Sequence, residues 1–211
     1  MPIPMPGGYD DGYQRCSCFW GREPGSLVQK VVQMIEAPCR LSILDAGCGE
    51  GKNAVYLAKA LGSVRAIDVS ALAIRNGREA WGSQHDVKWE VADIRHAAIP
   101  ESCYDLVVAY GLLHCLDDLA DIVGVVQKLQ HSTKVGGFHV ICSFNDRYHD
   151  VGEAHCGFSP VLINHRSYLE MYGSWAVSCA SDSDLVEAHP NTGIVHRHSL
   201  TRFIAQRTSN V

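Results

Sequence analysis

The stretch Leu41-Ser42-Ile43-Leu44-Asp45-Ala46-Gly47-Cys48-Gly49-Glu50-Gly51-Lys52-Asn53 sets three glycines between a short apolar run and a segment of helical periodicity. A strand that turns into a helix through glycine is the opening unit of a doubly wound sheet, and the turn lies where the strand order reverses. Glycine there removes the Cβ that would hold a ligand away from the backbone. The spacing therefore predicts a nucleoside-containing ligand. Dinucleotide binding asks for G-x-G-x-x-G, but Lys52 stands at the sixth position. Asp45, two residues before the first glycine, would repel a pyrophosphate and suits a cation, such as a sulfonium that also carries an ammonium group.

Working outward, Val64 to Val69, Val87 to Val91, Leu106 to Tyr110 and Phe138 to Ser143 are further short apolar runs. Between them lie helical patterns such as Ala54, Val55, Ala58 and Leu61, and upstream Leu27, Val28, Val31, Val32 and Ile35 recur at helical spacing after Pro24 and Ser26. Strands alternating with helices mean a parallel sheet covered on both faces. Tyr168 to Trp175 reads as one more helix. Ala176 to His189 and Ile194 to Arg207 flank the turn signal Pro190-Asn191-Thr192-Gly193, so the domain is expected to close with a long antiparallel hairpin. A turn-rich head, residues 1 to 12, belongs to a short N-terminal arm, residues 1–26, ahead of a single domain, residues 27–211.

Asp68 ends the second apolar run 17 residues after Gly51, where a carboxylate can take both hydroxyls of a ribose. Asp93-Ile94 ends the third, where an adenine would lie. Each aspartate also suits a helix N-cap. Three acidic strand ends in register favour S-adenosylmethionine over NAD.

The chain has 211 residues and is 46% hydrophobic, enough for one domain with a sizeable core. Its 18 Lys and Arg against 23 Asp and Glu give a charge of −5, so neither nucleic acid nor an anionic membrane is an expected partner. No apolar run reaches the roughly 18 to 20 residues that span a bilayer, and the opening MPIPMPGGYDDG is acidic where a signal peptide would be basic and then apolar. A cytoplasmic location is expected. Nine scattered cysteines, an odd number, read as reduced thiols, and Cys16-Ser17-Cys18 does not match C-x-x-C.

Phe19-Trp20-Gly21-Arg22-Glu23-Pro24, the Leu44-Asp45-Ala46-Gly47-Cys48-Gly49-Glu50-Gly51 block, Asp68-Val69-Ser70, Ala92-Asp93-Ile94 and Tyr104-Asp105-Leu106-Val107-Val108 together resemble a class I S-adenosylmethionine-dependent methyltransferase. Within that superfamily the chain is similar to the small methyltransferases of the tellurite-resistance type. The resemblance implies an α/β, Rossmann-like, doubly wound seven-stranded sheet of order 3-2-1-4-5-7-6 with the last strand antiparallel, in three αβα layers. It implies that Asp45, Gly47, Gly49 and Gly51 meet the methionine half, that Asp68 and Val69 meet the ribose, and that Asp93 and Ile94 meet the adenine. Tyr110 and Gly111 would border the methionyl group. Trp20 and Arg22 would fold over the cofactor as part of a lid, with Arg22 near its carboxylate.

Eleven histidines are many for this length, and His149, His155, His189, His196 and His198 fall together with Glu153 and Glu187 beyond the strand ends. Strand alternation puts Glu187 and His189 on one face and His196 and His198 on one face. Whether the two faces coincide depends on the register of the turn. His155, Glu187, His189, His198 and Asn145 are the candidates for acid–base work and acceptor contact, with His114 equally placed. A divalent metal on this cluster is the competing reading, but no closed spacing such as H-E-x-x-H is present and no metal is expected. The expected activity is methyl transfer to a small molecule. A non-methylating reaction of the same cofactor, cyclisation or lysis to methylthioadenosine, and a non-catalytic binding module stay open beside it. The sequence leaves the oligomeric state open.

Overall fold

Alternation along the central strands sorts the apolar side chains to two faces. On β4 (Tyr104–Tyr110), Leu106 and Val108 point to one side and Val107 and Ala109 to the other, and all four are fully buried. The same holds for Ile43 against Leu44 on β1 (Leu41–Ala46) and for Ala66 against Ile67 on β2 (Gly62–Asp68). One face is covered by α2 (Ser26–Met34), α3 (Lys52–Ala60) and α4 (Ala71–Trp81) through Val28, Val31, Leu57 and Ile74. The other is covered by α5 (Leu119–Ser132) and α6 (His165–Glu170) through Ile122, Val126, Leu129 and Tyr168. The computed structural model describes residues 9–36, 39–83, 86–149, 158–188 and 193–209.

The sheet is completed by β3 (Val87–Val91), β5 (Thr133–His149), β6 (Ala176–Ala188) and β7 (Val195–Gln206), in the order β3-β2-β1-β4-β5-β7-β6. Strands β1 to β5 run parallel, and β7 is antiparallel to both β5 and β6. The chain leaves β1 toward β2 and later crosses back to β4, so the C-terminal ends of β1 and β4 flank the reversal point. This is the three-layer architecture that the sequence resemblance implies.

Local chemistry fixes the helix starts. Ser70 accepts a hydrogen bond from the Ala73 N–H, Asp118 from Asp121 and Asn164 from Ser167. Three segments differ from the sequence expectation. The turn-rich head contains a helix, α1 (Tyr9–Arg15). The crossing from β3 to β4 carries no helix, because the Asp93 side chain and carbonyl take the N–H groups of Arg95, His96 and Ala97 in a tight turn. The helix expected over Tyr168 to Trp175 starts earlier at the Asn164 cap and gives way to turns before Gly173. The eight described cysteines are free thiols, as expected for a reduced chain. Among the described residues no helix is long and apolar enough to cross a membrane.

His139 on β5 is completely buried, with Thr133 Oγ1 2.7 Å from Nε2 and the Tyr172 hydroxyl 2.8 Å from Nδ1. Burial holds its pKa down to about 3, so the folded protein keeps this ring neutral. A depressed histidine contributes stability that is present above the unfolded value near 6.5 and is lost as pH falls toward 3. Relative to His139→Gln, the wild type is expected to lose stability on acidification below about pH 6.5, by up to about 1.4 kcal/mol per pH unit. Urea unfolding of both proteins across that range checks this. Parallel curves would contradict it.

Candidate functional site

The glycine loop joins β1 to α3 with Gly47, Gly49 and Gly51 all at positive φ. At Gly51 the need is steric as well: a Cβ would lie 2.1 Å from the Trp89 ring. The Gly47 and Cys48 N–H groups donate to the Ile67 carbonyl, which ties the loop to the end of β2. There Asp68 accepts the Gly49 N–H at 2.7 Å on Oδ2 and the Ser70 N–H at 2.9 Å on Oδ1. Burial raises its pKa despite these bonds. Each oxygen keeps a lone pair, and the carboxylate forms part of a cavity wall.

Asp45 lies one layer deeper. It is 1% exposed and stands outside the cavity wall, and its Oδ2 has no hydrogen-bond partner among the described residues. Burial first, then the Asp68 charge, push its pKa up to about 7, against a hydrogen bond from the Ala54 backbone. An orphaned buried carboxylate oxygen is rare and marks a missing partner.

The cavity has a volume of about 400 Å³ and runs from Asp68, Asp93 and Ile94, past the glycine loop and Gly111, to Phe144, Leu200 and Glu187. Val69 and Tyr110 also line it. Asp93 is not a free acceptor. Burial pushes its pKa up, but the Arg95 guanidinium, which grips both oxygens at 2.7 to 3.1 Å, outweighs this and holds the carboxyl below its usual range. Arg95 continues to Asp117 and Asp121, anchoring the turn to the start of α5.

Residues 9–21 form the opposite wall through Tyr9, Tyr13 and Trp20. The Trp20 indole N–H donates to the Tyr13 hydroxyl, and Lys52 Nζ donates to the Trp20 carbonyl at 2.6 Å. Glu50, inside the glycine loop, is the main anchor. Its carboxylate accepts the N–H groups of Cys18 at 2.9 Å and Phe19 at 2.6 Å, and the Asn76 amide at 3.2 Å. The sequence reading missed Glu50 and Lys52, whose signal is only that both lie within the glycine block. Arg22 departs from its expected place: its guanidinium stacks 5.1 Å above the Trp81 ring, outside the cavity wall. Lys52 lines the wall, as do Arg95 and Arg202, and burial lowers the Lys52 pKa.

At the far end the hairpin register resolves what the sequence leaves open. Glu187 is directly opposite His196, and Leu185 is opposite His198, so all four side chains share one face. Glu187 Oε1 lies 3.8 Å from His196 Nε2 and 3.9 Å from His198 Nε2. Phe144 is sandwiched between the rings of His114 and His198, at 4.0 and 4.3 Å between centroids. His114 also lines the cavity, and its Nδ1 accepts the Phe144 N–H. Asn145 departs from the sequence reading as an acceptor contact. It is buried outside the cavity wall, donating to Asp182 and Thr201 and accepting from Ser199, because strand alternation turns it away from the face that Phe144 presents. His155, His189 and Glu153 lie outside the described residues.

Residues 43–137 match the family model of a methyltransferase domain. An uncharacterized methyltransferase of Mycobacterium bovis is 34% identical over 76 residues, 36% of this chain and 38% of that one. The chain spans about two fifths of the length of the curated relatives it matches. Among solved structures, TehB from Haemophilus influenzae superposes with a TM-score of 0.72 at 18% identity, covering 87% of this chain and 62% of that one. The 1,6-didemethyltoxoflavin-N1-methyltransferase of Burkholderia thailandensis, solved with 1,6-didemethyltoxoflavin and S-adenosylhomocysteine, gives 0.65 at 16% identity over 95% of this chain and 86% of that one. At these identities the structures speak for the fold.

Glu50→Ala would leave three donors without their acceptor and free the segment 9–21 from the loop. Limited proteolysis is expected to cut that segment at least about tenfold faster than in the wild type, a loss of roughly 1.4 kcal/mol or more of local stability. An unchanged cleavage rate would contradict this anchoring role.

Proposed function

We propose that this chain, whose residues 43–137 match the model of a methyltransferase domain, is a class I S-adenosylmethionine-dependent methyltransferase and transfers the methyl group of S-adenosylmethionine to a small-molecule acceptor bound at the Glu187 end of the cavity. The observation that carries this reading is the orphaned, deeply buried Oδ2 of Asp45 beneath a glycine cradle, with Asp68 beside it. Two buried carboxylates suit a ligand that is cationic at one end and carries a ribose diol at the other.

The cofactor supplies an electrophilic methyl on sulfur, and the protein's work is to align, enclose and exclude water. Asp68 offers its remaining lone pairs to the ribose hydroxyls, with Val69 beside it. Ile94 packs on the adenine, and Asp93, with both oxygens held by Arg95, fixes the turn that borders the base. Gly47, Gly49, Gly51, Tyr110 and Gly111 border the methionyl chain. Asp45 balances its ammonium from beneath the glycine loop, through a water, and Lys52 takes its carboxylate in the place expected of Arg22. The arm, residues 1–26, acts as a lid, Trp20 closing over the site while Glu50 holds it down.

A small acceptor fits the remaining space. Phe144, Leu185 and Leu200 offer an apolar seat, and Glu187 supplies a polar group that orients the acceptor and eases loss of its proton, with His196 and His198 buried behind it outside the cavity wall. The Burkholderia enzyme accommodates a small heterocycle on the same fold, which supports this size class.

Incubation with S-adenosylmethionine, alone and with pooled small thiols, phenols and nitrogen heterocycles, is expected to yield S-adenosylhomocysteine together with an acceptor heavier by one CH2. Mass spectrometry reads both products. Methylthioadenosine instead would replace this reading with a lyase or cyclising reaction. Asp68→Ala is expected to weaken cofactor binding by at least about 1.5 kcal/mol, measured by calorimetry.

A further inference from the structure

We propose that Glu187, His196 and His198 bind one divalent transition-metal ion in the cavity wall, at the end where the acceptor would sit. The site stands on its own geometry, and only its use in the reaction rests on the methyl-transfer reading. One ligand atom from each of Glu187, His196 and His198 lies within 4.8 Å of the other two. The two distances to the carboxylate, 3.8 and 3.9 Å, are too long for hydrogen bonds. Ligands held at about 2.0 to 2.2 Å on one ion lie roughly 3 to 3.6 Å apart, so a contraction of about half an ångström closes each carboxylate–imidazole distance, and the two imidazoles, within 4.8 Å, draw together on binding.

Two further features fit ligation. His196 Nδ1 donates to the Ile194 carbonyl at 2.9 Å, which fixes the ring with Nε2 as the atom facing Glu187. A backbone carbonyl on the non-ligating nitrogen is the usual way a metal-binding histidine is oriented. His198 is fully buried and its ring is fixed by stacking on Phe144. The ligands sit on two adjacent strands of one hairpin, a rigid mount. Lys52, the other cation acting on Glu187, is itself tied to the Trp20 carbonyl.

Two imidazoles and one carboxylate suit zinc or another first-row divalent ion better than magnesium or calcium, which prefer oxygen. Three protein ligands leave coordination positions open, and Glu187 is itself part of the cavity wall. A thiol or hydroxyl acceptor bound there would lose its proton more readily, as ligands of such ions do. The acceptor class is therefore a small molecule whose attacking atom can itself coordinate a metal.

The test titrates the full chain, after chelation and desalting, with Zn2+ by calorimetry and with Co2+ by visible absorption, and titrates S-adenosylmethionine in parallel. One equivalent of each ion is expected, with cobalt bands showing nitrogen and oxygen ligands. Glu187→Gln, which keeps the shape of the side chain, and His198→Ala are each expected to weaken metal binding by at least about tenfold. Circular dichroism confirms that both remain folded. No stoichiometric metal in the wild type, or equal binding by folded Glu187→Gln, overturns the site. If S-adenosylmethionine binds and metal does not, the site falls alone. If metal binds at these residues and S-adenosylmethionine does not, the site stands and the methyl-transfer reading falls.

Discussion

Two desolvated carboxylates under one loop are the constraint around which this molecule is arranged. Burial raises the cost of ionising both Asp45 and Asp68, and the Asp68 charge adds to it at Asp45. Asp68 is offset by two backbone N–H groups, one from the glycine loop and one from the start of α4. Asp45 keeps an oxygen with no described partner. A sheet strong enough to hold this arrangement is needed, and the fully buried apolar faces of β1, β2 and β4 provide it. The natural relief is a bound cation, which is why the site fits a sulfonium with an ammonium group and disfavours a pyrophosphate.

The rest of the cavity follows from that loop. Glu50, between the second and third glycines, holds down the N-terminal arm, so the loop that meets the ligand also positions the opposite wall. Lys52 then ties the arm carbonyl of Trp20 to the first turn of α3. The far end is built differently, by a hairpin late in the chain whose two strands bring Glu187, His196 and His198 to one face. The glycine-loop end and the Glu187 end of the cavity are thus built by separate parts of the fold.

That division explains what was legible in the sequence. The strand, loop and helix around Asp45 are local, and their glycines and alternating apolar residues are dictated by contacts within a few residues, so the sheet, its parallel core and the place of Asp68 could be read directly. The relation of Glu187 to His196 and His198 could not, because a one-residue change of register would turn one set of side chains to the other face. Asn145 follows the apolar run that ends at Ser143 and so reads as a rim residue, whereas it lies within β5 and Asp182, Thr201 and Ser199 claim it from strands distant in sequence. Arg22 was placed by resemblance, and a stacking partner on α4, Trp81, takes it elsewhere. Helix α1 was hidden by glycine and aspartate, and is held by burial of Tyr13 against α4 and by the Asn76 bond to the Tyr13 carbonyl.

The central claim is that Asp45 and its charge await a cation, and the pH dependence of cofactor affinity tests it most directly. With its pKa pushed up to about 7, Asp45 is largely protonated in the free protein at pH 5.5, and a bound cation favours its ionised form. Binding must then release a proton, while the ligand's own ammonium, with a pKa near 7.7, stays charged. S-adenosylmethionine affinity measured by calorimetry between pH 5.5 and 7 is therefore expected to rise with pH, by up to about tenfold per unit, with the rise much reduced in Asp45→Asn. An affinity independent of pH in the wild type, or an equal rise in Asp45→Asn, would contradict it.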